Sequence, residues 1–291
     1  MLWIRSKSSL KEHVQGFRRQ GKSIGLVPTM GYLHEGHEKL MQVARRENDV
    51  VVLSIFVNPT QFGPQEDFAA YPRDLARDRR VAEKSGVDLV FQPDKEEMYP
   101  TPLEVTVEAG RMETVLCGRS RPGHFRGVLT VVSKLFHLVE PDRAYFGQKD
   151  GQQLALIQKM VEDLDFPVEI VPVETVREED GLAKSSRNVY LTEEERRVAP
   201  ELYRALSWGK AHWQDALYTS DPARLVHEVE KRLQAVPLFR IDYVELVTYP
   251  DLKAVTELRE DQTFMLAAAI YLGKARLIDN VLFGGVSERN R

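Results

Sequence analysis

The segment Val27-Pro28-Thr29-Met30-Gly31-Tyr32-Leu33-His34-Glu35-Gly36-His37 sets two imidazoles three residues apart, close to a glycine. At the start of a helix that spacing puts both rings on neighbouring positions of one face, and the glycine lets a ligand approach the backbone. Unsatisfied N–H groups and the positive end of the helix dipole favour an anion there, so the arrangement suits the phosphates of a nucleotide. Two other chemistries fail on spacing. The segment lacks the G-x-G-x-x-G run of a dinucleotide fingerprint, which disfavours NAD or FAD. The zinc pattern H-E-x-x-H needs its histidines at i and i+4, whereas His34 and His37 stand at i and i+3. Cys117 is the single cysteine, so it forms no internal disulfide, suggests no metal site and is expected to be structural.

The elements that must hold these residues follow from periodicity. Apolar runs alternate with helical patterns through the first half, which predicts β-α-β units and a parallel sheet. Strands are expected at 23–28, 49–57, 87–91, 105–107, 144–146 and 168–173, the second one nearly continuous β-branched sequence as in a strand buried on both faces. Helices are expected at 37–47, 74–84, 127–138 and 152–164. From 177 to 195 the chain turns polar and charged, and Thr192 followed by Glu195 predicts a capping box. A domain boundary near Val176 divides 1–176 from 177–291. The second part reads as helices over 193–213 and 221–235, then an alternating strand at 241–247 and an apolar run at 264–272. The predicted fold class is α/β, a doubly wound parallel sheet with a smaller C-terminal α+β domain.

Composition narrows the function classes. The 291 residues carry 40 Lys plus Arg against 44 Asp plus Glu, a net charge of −4, which gives no polyanion-binding surplus. No apolar stretch reaches the roughly 20 residues that span a bilayer, and the N-terminal residues show no signal-peptide core. These features predict a soluble, cytoplasmic enzyme with no nucleic-acid or membrane partner. A local basic stretch, Arg119, Arg121, Arg126 and Lys134 with His124 and Phe125 between, is expected to wall an anionic-substrate site.

His34-Glu35-Gly36-His37 resembles the HIGH signature of the nucleotidylyltransferase and class I aminoacyl-tRNA synthetase superfamily, which implies a Rossmann-like first domain. Around it stand Pro28-Thr29-Met30-Gly31, Phe56-Val57-Asn58-Pro59-Thr60-Gln61-Phe62, Asp67-Phe68, Tyr71-Pro72-Arg73 and His124-Phe125-Arg126-Gly127-Val128. Further on come Phe146-Gly147-Gln148-Lys149-Asp150, Gln152-Gln153 and Ser185-Ser186-Arg187-Asn188. In this order and spacing the set resembles the pantoate–β-alanine ligase family over nearly the whole chain. The resemblance implies a two-step ligase in which pantoate and ATP give pantoyl adenylate and pyrophosphate, and β-alanine then displaces AMP to give pantothenate.

The resemblance also implies site residues. Met30, Gly31, Tyr32, Leu33, His34, Glu35, Gly36 and His37 would lie along ATP, with His34 and His37 at the phosphates and His37 a proton donor. Gly147, Gln148, Lys149 and Asp150 would also meet ATP, Asp150 at the ribose and Lys149 at phosphate and pantoate. Gln61 and Gln153 would contact pantoate, Gln61 also β-alanine; a neutral amide can donate to a carboxylate and satisfy hydroxyls without fixing net charge. Val176 would meet adenine through its backbone. Gly181 to Asn188 resembles the KMSKS loop, with Lys184, Ser185, Ser186 and Arg187 at the triphosphate; Lys184 stands where the family commonly has methionine, which leaves its side-chain role open. Lys149, Arg187 and the two histidines supply the cationic inventory that joining two anions requires, with Mg²⁺ on the nucleotide and no protein metal site. The family implies a homodimer and a C-terminal lid. The alternatives are a simple nucleotidylyltransferase, an RNA-binding synthetase relative and a non-catalytic nucleotide sensor.

Overall fold

The computed structural model describes residues 1–64, 66 and 68–285, so Asp67 of the quoted motif lies outside the described residues. Two compact units divide the chain: residues 1–110, 121–148 and 156–176 form one, and 111–120, 149–155 and 177–291 the other. The division at 176/177 is crossed twice, because two short segments of the first half cluster with the second.

The first unit begins with β1 (Leu2–Ile4), α1 (Lys7–Arg19), β2 (Ile24–Thr29), α2 (Glu35–Glu47) and β3 (Val50–Ile55). It continues through α3 (Leu75–Lys84), β4 (Leu89–Phe91) and the single turn α4 (Lys95–Met98). After α5 (Leu116–Ser120), which belongs to the other unit, come α6 (His124–Val139), β5 (Arg143–Gly147), α7 (Gly151–Asp163), which joins this unit only from Leu156, and β6 (Glu169–Val173). The sheet runs β1-β4-β3-β2-β5-β6 and every recorded pairing is parallel. Every residue of β3 is buried, as its unbroken apolar run requires of a strand covered on both faces. The strand order reverses between β2 and β5, where open parallel sheets place their ligand crevice.

The second unit contains α8 (Glu193–Val198), α9 (Glu201–His212), α10 (Ala216–Thr219), α11 (Pro222–Gln234) and an antiparallel sheet of β7 (Phe239–Thr248), β8 (Thr263–Leu272) and β9 (Ala275–Gly284). Its core joins Leu202, Leu206, Leu225, Val229 and Leu233 to Phe264, Leu266, Ile270 and Phe283. The Thr192–Glu195 capping box forms in both directions, at 3.3 and 2.8 Å.

Two expectations are corrected, and β1, α1 and β9 form where no element is expected. Residues 105–107 are not a strand; the Val107 amide donates instead to Thr130 Oγ1 at 3.0 Å, a side-chain bond that replaces a ladder. The single helix expected over 193–213 is two, because Pro200 has no amide hydrogen with which to continue the first. β9 is a strand that the sequence pattern does not announce, since its inward position Asp279 interrupts the apolar alternation.

Candidate active site

The turn leaving β2 is held by a carboxylate from another element. Asp78 on α3 is 1% exposed and accepts from the amides of Tyr32 at 3.1 Å and Leu33 at 2.7 Å. Burial raises the Asp78 pKa, with the two backbone donors working in the opposite direction. Gly31 enters the turn at φ +82°, where a Cβ would stand 2.9 Å from Asp78 Oδ2 and 3.0 Å from Ile55 Cγ2, so the position takes glycine both for its dihedral and for its room.

The turn delivers two interlocked histidines. His34 is the N-cap of α2, and its Nδ1 accepts from the Gly36 amide at 3.1 Å. His37 Nδ1 accepts from the His34 amide at 3.2 Å, which closes a reciprocal capping box, and the ring centroids lie 4.0 Å apart. Both Nδ1 atoms are therefore acceptors, so each neutral ring carries its proton on Nε2 and a proton on Nδ1 would break the cap. Helix N-terminus and Nε2–H donors together make a site for anionic oxygens.

Gln61 lies in a 3-10 turn, Pro59–Gln61, beyond the carboxyl end of β3, and is 8% exposed. Its Nε2 donates to Met30 Sδ at 3.3 Å and its Oε1 accepts from Asn58 Nδ2 at 3.1 Å. Its backbone oxygen accepts from His124 Nδ1 at 2.8 Å, while Arg121 Nη1 lies 3.0 Å from His124 Nε2. Arg121 also grips Glu66 through two bonds of 2.6 Å. Burial alone would raise the Glu66 carboxyl, but the hydrogen bonds and charge of Arg121, helped by the Gly63 amide, bring it down to about 2. Behind the turn, a Cβ on Gly127 would meet Thr60 O at 2.4 Å, so α6 packs backbone against backbone there.

In the first unit, then, the structure gathers the 30–37 segment and Gln61, joined by the Met30 contact. Gly147 ends β5, with Gln148 next in the chain, and Val176 follows three positions after β6. All lie at or beyond carboxyl ends of strands in the one sheet. The expected basic wall is largely compensated: Arg121 pairs with Glu66, Arg126 with Glu108 at 3.5 Å, and the Lys134 ammonium stands 5.4 Å over the Tyr99 ring.

The second unit carries the remaining candidates. Lys149 Nζ lies 3.7 Å from Asp150 Oδ1, and the Lys149 carbonyl accepts from Asn280 Nδ2 at 2.9 Å. Gln153 is half-buried beside Gln152. Gln152 itself is structural, donating to the carbonyls of Met112 and Val115 and accepting from the Gly118 amide. Arg119 pairs with Glu245 at 2.5 Å.

The 181–188 segment is built as a hairpin-like loop. Arg177 binds Asp279 through both guanidinium nitrogens, donates to the Gly181 carbonyl at 3.1 Å and stacks 3.5 Å from the Tyr203 ring centroid. Asp279 is 3% exposed, so a charge that breaks the apolar pattern of β9 is neutralised by the residue that anchors the loop. The Glu178 amide donates to Leu182 O, and Lys184 pairs with Glu178 at 2.8 Å. Ser185 caps the 3-10 turn Ser186–Tyr190, which carries Arg187.

Asp78, Tyr99, Glu66, Arg177 and Asp279 support these candidates without standing out in the sequence. Each is an ordinary polar residue locally; its partner lies far along the chain.

A family model described as pantoate-beta-alanine ligase matches residues 2–282. A pantothenate synthetase of Lysinibacillus sphaericus is 56% identical over 275 residues, 94% of this chain and 95% of that protein. The pantothenate synthetase of Bacillus subtilis is 52% identical over 97% of each chain. Among solved structures, a pantothenate synthetase from Thermus thermophilus is similar with TM-score 0.88 and 48% identity, covering 97% of this chain and 99% of that one. A pantoate-beta-alanine ligase from Francisella tularensis, complexed with Beta-gamma ATP and Beta-alanine, is similar with TM-score 0.79 and 34% identity over 97% of each.

Proposed function

The chain belongs to the pantoate-beta-alanine ligase family, and from that premise we infer how its own residues carry the reaction. It is an ATP-dependent ligase that condenses pantoate with β-alanine. In the first step a pantoate carboxylate oxygen attacks the α-phosphorus of ATP, the bond to the bridging oxygen breaks and pyrophosphate leaves. No general base is needed, because the carboxylate is already ionised at neutral pH. The requirement is to bring two anions together and neutralise the departing charge.

The observation that carries this reading is the His34–His37 cap at the point where the strand order reverses. Its two Nε2–H groups and the α2 amides serve the phosphates, with His37 the group that acts on the leaving side. Met30, Gly31, Tyr32, Leu33, Glu35 and Gly36 line ATP, as do Gly147, Gln148 and the Val176 backbone. Lys149 and Arg187 meet phosphate, Asp150 meets the ribose, and Lys184, Ser185 and Ser186 complete the loop over the triphosphate. Gln61 and Gln153 hold pantoate. In the second step the neutral amine of β-alanine, oriented by Gln61, attacks the acyl carbon, the carbon–oxygen bond to AMP breaks, and the nitrogen gives up a proton to solvent as the amide forms.

Among the described residues no group of three or more His, Cys, Asp and Glu is arranged to hold a metal, and the donors present suit Mg²⁺ that arrives on the nucleotide's own oxygens and water. When bound, it offsets phosphate charge. We assign 177–291 the role of a lid that excludes water from the adenylate, and the chain a cytoplasmic homodimeric state. Among the described residues no helix is long and apolar enough to cross a membrane.

Incubation with ATP, pantoate and labelled β-alanine tests the reading. AMP and pyrophosphate should appear in step with pantothenate, and AMP release that does not depend on pantoate would overturn it.

A further inference from the structure

Resting on the reading of Gln61 as a pantoate contact, we propose that Tyr99 is a positioning residue for pantoate: acting through Asn58, its hydroxyl fixes which end of the Gln61 amide faces the substrate. The two ends of an amide differ in function, one donating and one accepting, so a site built on glutamine needs something to choose between them.

Here the choice is made by groups whose own roles are fixed. Asn58, 1% exposed, sets its Nδ2 3.1 Å from the carbonyl oxygen of Gly127, which only accepts. Its Oδ1 accepts from the Tyr99 hydroxyl at 2.8 Å and from Thr60 Oγ1 at 2.9 Å, with the Thr60 amide, which only donates, at 3.4 Å. A reversed Asn58 would set oxygen against oxygen at Gly127 and hydrogen against hydrogen at Thr60. The second hydrogen of Nδ2 therefore goes to Gln61 Oε1 at 3.1 Å. That leaves Gln61 to present its NH₂ group, which donates to a thioether, Met30 Sδ, at 3.3 Å. A thioether is a weak acceptor, readily exchanged for the carboxylate or hydroxyl oxygens of a substrate.

Tyr99 and the Gly127 carbonyl are the parts of this relay that tie it to the rest of the fold, and Tyr99 is the one that holds the oxygen end of Asn58. Thr60 is two residues from Asn58 and its hydroxyl rotates; Tyr99 follows α4, 41 positions away, with its ring 6.0 Å from Phe56 and under the Lys134 ammonium at 5.4 Å. Burial pushes the phenol pKa up, which keeps the hydroxyl protonated and hence a donor. Without that donor the 58–61 turn keeps its local bonds and the Gly127 contact but loses the long-range stop on the oxygen end of Asn58, and the Gln61 amide gains freedom.

Steady-state kinetics with each substrate varied in turn, alongside thermal melting, test the proposal on the full-length enzyme. Tyr99→Phe keeps the ring and its contacts and removes the hydroxyl. It should raise KM for pantoate about three- to tenfold, the loss of one neutral hydrogen bond, while KM for ATP stays within about twofold and the melting temperature holds. Asn58→Asp, which cannot donate to Gly127 or Gln61, should raise the pantoate KM more, by up to about 100-fold. Gln61→Leu in the same series separates the two readings. A pantoate KM unchanged by Gln61→Leu overturns the assignment of Gln61 and this inference with it. If Gln61→Leu raises that KM but Tyr99→Phe leaves it unchanged, or moves every KM together with a lowered melting temperature, the positioning role alone is overturned.

Discussion

His37 holds two jobs at one residue, and they separate by substitution. Its Nδ1 caps the His34 amide, while Nε2–H is the donor assigned to phosphate. Glutamine at this third helical position is an ordinary capping-box partner, so His37→Gln should retain the cap and lower turnover about 100-fold or more. His37→Ala should lose both, with a stability cost on the order of 1 kcal/mol added to the same loss of rate. Turnover close to wild type in His37→Gln, measured as pantoate-dependent AMP release, would remove the ring from the chemistry. The pair itself is legible from spacing, but its interlock is not. Histidine is not among the preferred N-cap residues, and the Nδ1 geometry exists only once Asp78, far along the chain on a polar helix, has set the turn. Lys184 is a similar case: where the sequence leaves its role open, the structure pairs it with Glu178 across the loop, a contact that the residue type alone does not forecast.

Between elements, the Glu66–Arg121–His124 chain fastens the turn after β3 to the start of α6, and its strength depends on pH in a definite direction. Glu66 titrates at about 2 in the fold against an ordinary 4.5, so the folded state favours the carboxylate. The stabilisation is fully present above pH 4.5 and disappears as pH falls through the folded value of about 2. With the side chain one-quarter exposed, Glu66→Gln should cost on the order of 2 kcal/mol near neutrality in denaturant titrations. The gap from wild type should shrink steadily below pH 4, and a gap that is constant with pH would show that the pair carries no such linkage. Much of the first unit is readable: from β2 onward most strands and helices fall within a few residues of their expected positions because buried runs and amphipathic periods are local signals, whereas β1 and α1 are not expected at all. What fails to show depends on partners distant in the chain. Residues 105–107 alternate as a strand would, yet lack a neighbour to pair with and bond to Thr130 instead. β9 is hidden by Asp279, whose burial makes sense only with Arg177, 102 positions away.

At the scale of the whole chain, the two compact units meet in sequence at 176/177, but not only there. Segments 111–120 and 149–155, both encoded before the boundary, are part of the second unit. Arg111 donates to the carbonyls of Leu252 and Asp251, Ser120 to Asp242, and Asn280 to the carbonyl of Lys149. Gly151 fits so closely against β8 and β9 that an added Cβ would stand 2.6 Å from Met265 Sδ. A fragment of residues 177–291 would therefore lose partners for partly buried polar groups and expose Tyr243, which is 7% exposed in the full chain and whose phenol burial holds well above its ordinary pKa. Its core on the α9, α11 and β8 side is complete, so secondary structure should persist, but tertiary packing should not. Expressed alone, the fragment should keep far-UV circular dichroism and unfold without a cooperative transition, and co-expression with residues 1–176 should restore one. A sharp, independent melt of the isolated fragment would mean that the two inserted segments contribute little to the second unit, and that the boundary read from composition is also the boundary of folding.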